Sequence, residues 1–561
     1  GVIVLKRTSD AERDGDRILA TIRGTAIGHN GNNGGLTAPS GKSQQQMIRR
    51  ALANAGMQPS EVHYLEAHAT GTELGDPIEV QAAGEVLGKG RDEENPLLLG
   101  SAKANLSHLE AAGGISGLIK VVLSMQHGVI PGQIHFDEPS PHVRWDRIRA
   151  EVVTGERAWP DPARQVAGVS ALGMTGTNAH VILEGARAVE EEDAPEKSGT
   201  EGPQVLVLSG PNEEGLRALS ARFAGALESV SASDFANFCH SAASGRKHFP
   251  HRLALVADAP GHAASALASF GENGEAKDVL YGVAEGKAAV AWLFPGEIDD
   301  LSSYAGSLDR MSSTLRKTLQ ACDNLAEWDD EVSIEKALFE EPSLLEDAAV
   351  RIPAFFAVQM AASKIWSARG IEPEVVIGEG IGQYAAACTA DMMDWEDGFR
   401  VAAKRGELIG NSSEPDTLAA DAFEEFVDQI DHRPPNRPLV CSLSGKIVPI
   451  HKVLGGTYWR DQLTAESNLE EAASALDKQA CEFYLEFGNR AALGDVLAEK
   501  AEKTTPGRLD SSTDAALSDL YVAGCKPDFD AIAKEYGARR VSVPNYPFQR
   551  KYYWLPGVGK S

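Results

Sequence analysis

The amino-acid sequence predicts a multidomain α/β protein, and three observations support this prediction. The first is length: 561 residues exceed what one hydrophobic core usually organises, so three or more folding units are expected. The second is an alternation of strand-like and helix-like runs, for example at 62–66, 79–87 and 97–100. The third is the acidic stretch 187–203, which has no apolar residue able to anchor a core and therefore predicts a linker.

The composition and charge of the chain argue against several classes of binding partner and site. The formal charge of -28 argues against nucleic acid or an anionic membrane surface as a partner. No apolar run is long enough to span a membrane and no signal peptide is recognisable, so a cytoplasmic protein is expected. None of the six cysteines forms a C-x-x-C pair, and no metal site is predicted.

The order of the predicted elements gives the domain organisation. The chain opens with an apolar, strand-like run at 1–5 that begins with Gly rather than Met, which we interpret as a fragment or a cropped chain. A second unit opens with a strand at 204–209 and a helix near 216–227, and a third opens with a strand at 289–296. The predicted domains are 1–186, 187–203, 204–286, 287–504 and 505–561.

Two histidine motifs dominate the first domain. Residues 66–79 read EAHATGTELGDPIE around His68, and residues 103–114 read KANLSHLEAAGG around His108. Together these motifs resemble the two histidine segments of β-ketoacyl synthases of the modular polyketide synthase type. In that family the cysteine nucleophile lies before the first motif, and no cysteine precedes His68 here. The resemblance therefore implies a partial, thiolase-like ketosynthase.

The same resemblance implies roles for individual residues. His68 and His108 would be catalytic, donating hydrogen bonds to the thioester oxygen of the extender unit as carbon dioxide leaves. Lys103 would support this site, and Ser107, which replaces the family's glycine, is expected to crowd the turn. The loop that would close the pocket contains Met174, Thr177 and Asn178.

A second set of residues resembles the acyltransferase of the same family. Residues 376–388 read VIGEGIGQYAAAC, where the family has a Gly-His-Ser-x-Gly turn. Gly380 stands at the serine position and Glu379 at that of the adjacent histidine. Because glycine has no side chain to acylate, this turn cannot form an acyl-enzyme. Glu297 stands where the family has its oxyanion-hole glutamine; Arg405 matches the arginine that binds the malonyl carboxylate, or it forms a surface salt bridge.

Other parts of the acyltransferase pattern are also missing. The stretch 412–431 is too short for the family's ferredoxin-like subdomain, the base histidine is absent, and Arg490 stands where a later histidine is usual. The resemblance thus implies a degenerate acyltransferase with an α/β-hydrolase-like core. It also implies a small α/β linker domain at 204–286 and a tail, 541–554, that packs back on the linker and the ketosynthase.

We predict that the chain is part of a modular polyketide synthase. Its ketosynthase region would condense an acyl thioester with a malonyl-type unit, both carried on the phosphopantetheine of an acyl carrier protein, with no bound cofactor. Expected partners are the acyl carrier protein, a second copy in a homodimer, and other synthase modules or a trans-acting acyltransferase. Two alternatives stay open, a non-catalytic docking scaffold and one half of a split ketosynthase, and an upstream cysteine turn would separate them.

Overall fold

The computed structural model describes residues 1–31, 35, 38–186, 202–326, 328, 332–409, 416–488, 492–501 and 506–551. Most of the predicted linker 187–203, together with Arg490 and the end of the tail, lies outside the described residues. The chain divides into two compact units, Gly1–Ala194 and Pro195–Ser561. Within the described ranges, no helix combines the length and the hydropathy needed to cross a bilayer.

The first unit alternates strands and helices. Its strands are β1 (Ala20–His29), β2 (Tyr64–Glu66), β3 (Leu97–Gly100), β4 (Val129–Ile130), β5 (Ala150–Val152), β6 (Arg157–Ala158), β7 (Val166–Leu172) and β8 (Thr177–Gly185). Its helices are α1 (Thr8–Arg13), α2 (Gly41–Ala55), α3 (Gly75–Leu87), α4 (Lys103–Leu106) and α5 (Gly113–His127).

A mixed sheet in the order β1-β8-β7-β2-β3-β5 organises this unit, while β4 and β6 pair separately. Strands β1, β8 and β7 are antiparallel neighbours, whereas β7, β2, β3 and β5 run parallel. The carboxyl ends of β7, β2 and β3 therefore lie at the same edge. In open α/β sheets this edge is where ligands usually bind.

Helices pack on both faces of the sheet, and alternate residues of a strand point to opposite faces. Leu97 and Leu99 face a core formed with α2 and α3, whereas Leu98 faces a second core formed with α5. Gly24 permits the close approach of α2, since a Cβ atom there would lie 2.4 Å from the carbonyl oxygen of Ala51.

The apolar run at 1–5 is not a strand, which corrects the sequence-based expectation. Val2 and Val4 are 89% and 93% exposed, and residues 1–5 pair with no described strand. Apolar, β-branched residues form a stable strand only when a neighbouring strand and a packed face accompany them.

The second unit is larger. Its strands are β9 (Gln204–Gly210), β10 (His251–Ala257), β11 (Leu280–Val283), β12 (Val290–Phe294), β13 (Val375–Gly378), β14 (Leu439–Val440), β15 (Phe483–Glu486) and β16 (Gly507–Asp510). Its helices are α6 (Glu213–Leu227), α7 (Phe235–Ala243), α8 (Pro260–Asn273), α9 (Leu301–Met311), α10 (Thr314–Asp323), α11 (Ile334–Phe339), α12 (Ala348–Ala368), α13 (Gly382–Thr389), α14 (Trp395–Ile409), α15 (Thr417–Val427), α16 (Gly456–Asp461), α17 (Leu469–Lys478), α18 (Ala492–Lys500), α19 (Asp514–Val522) and α20 (Phe529–Tyr536).

The first part of this unit is a small antiparallel sheet, β11-β10-β9, covered by α6, α7 and α8. Val541, Val543 and Tyr546 pack against its core. Arg252 of β10 is buried and donates from Nη1 to the carbonyl oxygens of Tyr521 and Cys525, at 2.7 Å each. These bonds attach the small sheet to the segment that contains α19.

The second part is a parallel sheet in the order β14-β13-β12-β15-β16. Trp292 and Phe294 of β12 face one core, and Ala291 and Leu293 face the other. Helix α12 has apolar residues around most of its circumference, so it can be buried in the first of these cores. Between α14 and β14, the described residues form α15 and no strand.

Candidate functional site

The first unit brings its two motif histidines together at the carboxyl edge of its sheet. His68 follows β2, and His108 lies in the loop between α4 and α5. Their ring centroids are 5.3 Å apart and the rings are nearly perpendicular, at 87°. The sheet topology accounts for this arrangement, since β2 and β3 are parallel neighbours and each loop leaves from the same edge.

Two buried carboxyl groups hold these loops. Glu79 of α3 accepts hydrogen bonds from the backbone N–H groups of His68 and Ala69, at 2.7 and 2.9 Å. Glu66 of β2 accepts from the backbone N–H of Ala102 at 2.6 Å, and so fixes the start of the loop that carries Lys103. Burial raises the pKa of Glu79 to about 7, against the opposing effect of its two backbone donors.

The protonation of the two rings follows from their surroundings. Burial, followed by the charges of Lys103 and His108, lowers the pKa of His68 to about 4, so this imidazole is neutral at pH 7. The backbone N–H of Glu110 donates to Nδ1 of His108 at 3.3 Å. An Nδ1 that accepts leaves the ring proton of a neutral imidazole on Nε2. Nε2 of His108 can therefore act as a hydrogen-bond donor, and the neutral ring of His68 also keeps one N–H.

Lys103 and Ser107 lie in the segment that leads to His108. The pKa of Lys103 is lowered because the ammonium group is half-buried. A Cβ atom at Gly113 would lie 3.5 Å from Cε1 of His108 and 3.7 Å from Cε of Lys103, which places these two side chains beside each other. Ser107 has φ 60° and ψ -176°, a conformation that favours glycine. The serine at this position therefore strains the backbone of the turn that was predicted to be crowded.

The predicted pocket loop leaves the neighbouring strand β7 at the same edge. Asn178 is buried and donates from Nδ2 to Oδ1 of Asn30 at 2.7 Å. Thr177 is exposed, and its carbonyl oxygen accepts from the N–H of Gly173 at 2.7 Å. Met174 is 77% exposed at the tip of the loop. The structure thus places Asn178 as an anchor of the loop and leaves Met174 without cover from the described residues.

The second unit has its own strand-to-helix turn at a carboxyl edge. Gly380 follows β13 and precedes α13, with φ 50°. A Cβ atom at Gly378 would lie 2.4 Å from Cα of Gln383, and one at Gly382 would lie 2.1 Å from the carbonyl oxygen of Phe294. At Gly380 the same atom would meet, within the described part of the chain, only Cα of Gly296, at 3.5 Å. The turn therefore has space for a side chain at the one position where the acyltransferase pattern has its nucleophile.

Acidic side chains surround this turn. Burial and the charge of Glu297 raise the pKa of Glu379, while the backbone N–H of Gly296 donates to the Glu379 carboxyl group. Glu486 of β15 is buried, accepts from the N–H groups of Leu493 and Gly494, and has its pKa raised to about 7 by burial. An oxyanion at this edge would meet the repulsion of these carboxyl groups.

Among the residues that the structure describes, Arg405 has no carboxylate partner in a surface salt bridge, the alternative that the sequence left open. From α14, its Nη1 donates to Oε1 of Gln462 at 2.9 Å and to the hydroxyl oxygen of Tyr384 at 3.1 Å. Gln462 is buried and donates from Nε2 to the carbonyl oxygen of Gly380. Arg405 is thus connected to the turn through one amide side chain.

Sequence reasoning missed three residues of these sites. Glu66 and Glu79 lie within the first motif, and their signal is a carboxyl group inside an otherwise buried run. Gln462 gives no comparable signal, because its contact with Arg405 joins positions 57 apart in the chain.

Two histidine positions of the acyltransferase pattern have no counterpart in the described residues. His432 follows α15, and its Nε2 hydrogen-bonds with the carbonyl oxygen of Val427 at 3.0 Å. The predicted replacement Arg490 lies outside the described residues. Among the residues that the structure describes, no His, Cys, Asp and Glu side chains group closely enough to hold a metal ion.

Three family models match consecutive parts of the chain. Residues 19–137 match the family described as the beta-ketoacyl synthase C-terminal domain, and residues 139–256 match the ketoacyl-synthetase C-terminal extension. Residues 291–448 match the acyl transferase domain. The chain belongs to the type I modular polyketide synthases, as a ketosynthase C-terminal part followed by an acyltransferase domain.

Individual relatives extend this similarity along the whole chain. Polyketide synthase GfsB of Streptomyces halstedii is 32% identical, with 99% of this chain and 12% of that protein covered. Erythronolide synthase EryA3 of Saccharopolyspora erythraea is 31% identical, with 99% and 20% covered. The chain thus spans a fifth or less of these relatives. The solved acyl transferase domain of ZmaA, at TM-score 0.56 and 17% identity over 62% of this chain and 100% of that domain, supports the fold.

Proposed function

We propose that the first unit is the C-terminal half of a thiolase-like ketosynthase for decarboxylative condensation. The observation that carries this proposal is the pair of adjacent, perpendicular imidazoles of His68 and His108 at the carboxyl edge of the sheet. When a malonyl-type thioester loses carbon dioxide, negative charge develops on its thioester oxygen. Two N–H donors directed at that oxygen stabilise the enolate without a proton transfer. Burial, supported by the positive charge of Lys103, keeps His68 neutral.

The nucleophile of this reaction would come from a segment outside this sequence. A cysteine there would hold the growing acyl chain as a thioester, which the enolate attacks to form the new carbon-carbon bond. Leu106 and Leu109, which flank His108, are 52% and 41% exposed, and Met174 is exposed on the adjacent loop. Apolar side chains exposed around a candidate site favour a covering partner. A completing ketosynthase half, in the same or in a neighbouring polypeptide, has the required chemistry.

The second unit, on this proposal, is a catalytically silent acyltransferase with an α/β-hydrolase-like core. Gly380 has no atom to acylate, and Glu297 and Glu379 would repel an oxyanion. The small sheet at 204–286 is its linker domain. The short connection between α14 and β14, which forms α15 in its described part, supports the loss of the ferredoxin-like subdomain.

A structural scaffold is the second candidate function, and one observation favours it. The backbone of the turn around Gly380 is fixed by close packing at Gly378 and Gly382, although the turn has lost its nucleophile. The buried α12 and the tail around Tyr546 keep their packing in the same unit. A domain that retains its packing without its catalytic groups fits a docking or spacing role.

The remaining partners follow from the proposed reaction. Both substrates would arrive on phosphopantetheine arms of acyl carrier proteins, so no resident cofactor is required. A trans-acting acyltransferase or another module would load the extender unit. We expect a homodimer, and a net charge of -28 disfavours nucleic acid as a partner.

The test is decarboxylation of a malonyl-phosphopantetheine thioester by the protein isolated from its source together with whatever co-purifies. Release of carbon dioxide that disappears with His108→Ala, but not with the exposed control His127→Ala, would support the ketosynthase proposal. Intact mass and iodoacetamide labelling would locate the expected reactive cysteine. Neither decarboxylation nor a reactive cysteine in that preparation would overturn the proposal and favour the scaffold.

A further inference from the structure

A cluster of three polar side chains connects β2 with α5 inside the first unit. Lys120 of α5 donates from Nζ to Oε2 of Glu66 at 2.9 Å and to the hydroxyl oxygen of Tyr64 at 2.8 Å. The hydroxyl of Tyr64 donates to the same Oε2 at 2.8 Å. Tyr64 and Glu66 are 0% and 2% exposed, and the side chain of Lys120 is 19% exposed. The cluster therefore lies mostly out of water.

Two glycines provide the space for this cluster. A Cβ atom at Gly117 of α5 would lie 2.9 Å from Cγ of Glu66, and one at Gly100 of β3 would lie 2.5 Å from the hydroxyl oxygen of Tyr64. A larger residue at either position would displace one of the polar groups. The cluster is thus part of the packing between β2, β3 and α5.

Glu66 joins the cluster to a loop of the candidate site. Its Oε1 accepts from the backbone N–H of Ala102 at 2.6 Å, directly before α4, while Oε2 is the oxygen that Lys120 and Tyr64 bind. A carboxylate removed from water requires a counter-charge and hydrogen bonds to its oxygens. Lys120 supplies the counter-charge as the ion-pair partner of Glu66. Burial, followed by the charge of Glu66, raises the pKa of Tyr64, so its hydroxyl keeps its proton and remains a donor.

We propose that Lys120 is a positioning residue for the reaction of the first unit. It acts through Glu66: the ion pair holds the carboxylate where it binds Ala102, and this bond fixes the start of the segment that carries Lys103 and leads to His108. The inference rests on the proposed ketosynthase function. It adds to that function a residue that lies outside both histidine motifs.

The geometry also predicts how the two charges of the cluster depend on each other. Loss of Lys120 alone leaves the carboxylate of Glu66 buried without its counter-charge. Glu66→Gln alone places an amide nitrogen, which is a donor, among donors. Removal of both charges leaves a neutral amide that pairs with the hydroxyl of Tyr64. The double variant Glu66→Gln with Lys120→Met should therefore behave more like the wild-type protein than Lys120→Met does.

The first test measures decarboxylation of a malonyl thioester by the assembled synthase. We expect Lys120→Met to lower kcat about 10-fold at unchanged KM, because the substrate still binds while the segment leading to His108 is displaced. The double variant should recover most of this loss. Lys42→Met, at an exposed lysine of α2, is the matched control and should keep the wild-type kcat. Wild-type kcat in Lys120→Met, or losses that add in the double variant, would overturn the proposal.

The second test is independent of activity. Backbone hydrogen exchange of residues 101–109 should be faster in Lys120→Met than in the wild-type protein, while exchange of residues 41–55 in α2 should be unchanged. Equal acceleration of both segments would indicate a general loss of stability and would contradict a positioning role, as would unchanged exchange at 101–109. If Lys120→Met does not fold, Lys120→Gln removes the charge, retains a donor for Tyr64 and permits both measurements.

Failure of this inference is distinguishable from failure of the proposed function. If the wild-type synthase releases no carbon dioxide from the malonyl thioester, the proposed function fails. Hydrogen exchange at 101–109 then still decides whether Lys120 holds this segment through Glu66.

Discussion

Each of the two units has a candidate site at the carboxyl edge of its sheet, and the two sites differ in the groups that they contain. Each has loops at the carboxyl ends of parallel strands, the edge at which α/β sheets bind ligands. At the edge of the first unit, the motif side chains His68, His108 and Lys103 lie together. At the edge of the second, the turn between β13 and α13 is closely packed and carries Gly380, which has no reactive side chain. Close backbone packing and reactive side chains are thus separate properties of such an edge.

Close packing limits which residues the turn at Gly380 can carry. Gly378 and Gly382 have no space for a Cβ atom, so their replacement would disturb the sheet and α13. Gly380 has that space, although its φ of 50° also favours glycine. Folding therefore restricts the two flanking positions to glycine more strongly than it restricts position 380.

The largest expected effect distinguishes the two edges by activity. In the assembled synthase, His68→Ala or His108→Ala should lower malonyl-thioester decarboxylation about 10²- to 10³-fold, because each removes one donor to the developing oxyanion. Glu379→Ala at the second edge should leave the rate unchanged. Carbon dioxide release under single-turnover conditions is the measurement, and a comparable loss in Glu379→Ala would remove the distinction.

A second prediction uses the buried carboxyl group of the second site. The pKa of Glu486 is about 7 in the folded protein, above its value of 4.5 when exposed. Between pH 4.5 and 7 the folded form keeps a proton that the unfolded form has released. The contribution of this group to stability therefore falls as pH rises, by about 1.4 kcal/mol for each pH unit.

Glu486→Gln should remove this contribution. We expect the free energy of unfolding, measured with denaturant, to fall less between pH 5 and 7 in this variant than in the wild-type protein. Glu499→Gln, at the exposed end of α18, is the control and should keep the wild-type slope. Parallel slopes for the wild-type protein and Glu486→Gln would show that Glu486 is already ionised in the folded protein.

Local pattern predicted much of the fold. The apolar run 97–100 is β3, and the helix predicted at 79–87 lies within α3, which begins earlier because Asp76 and Pro77 suit a first turn. The run 1–5 has the same strand-like composition and forms no strand, because no described strand pairs with it. Composition gives the preference of a segment, and its neighbours decide the outcome.

The residues of the candidate sites also differ in how far the sequence predicts them. Spaced motifs marked His68 and His108 because the chemistry needs those residue types in one loop each, and the parallel pairing of β2 and β3 places the loops together. The bond between Arg405 and Gln462 joins α14 to the end of α16, and neither position belongs to a motif that predicts the other. Contacts of this kind depend on how helices pack, which a single sequence does not display.

A third prediction restores the missing side chain. Gly380→Ser should fit sterically and should lower the free energy of unfolding by about 1–2 kcal/mol, because φ 50° is unfavourable for residues with a Cβ atom. Intact mass should still show no malonyl adduct, because Glu297 and Glu379 at this turn would repel the oxyanion that forms. Gly378→Ser is the matched control and should cost far more. An adduct on Gly380→Ser would show that the site of the second unit lacks only its nucleophile.

The smallest expected effect lies at the turn before His108. Ser107→Gly should raise the free energy of unfolding by about 1 kcal/mol, because glycine tolerates φ 60° with ψ -176°. Ser116→Gly, within α5, is the control and should lower stability by a similar amount. Decarboxylation by Ser107→Gly should remain at the wild-type rate if the contacts of Lys103 and Glu110 position His108. A fall in rate together with the gain in stability would mean instead that the strained backbone of Ser107 orients the imidazole of His108. The site at the first edge would then lower the stability of the protein in order to position this side chain.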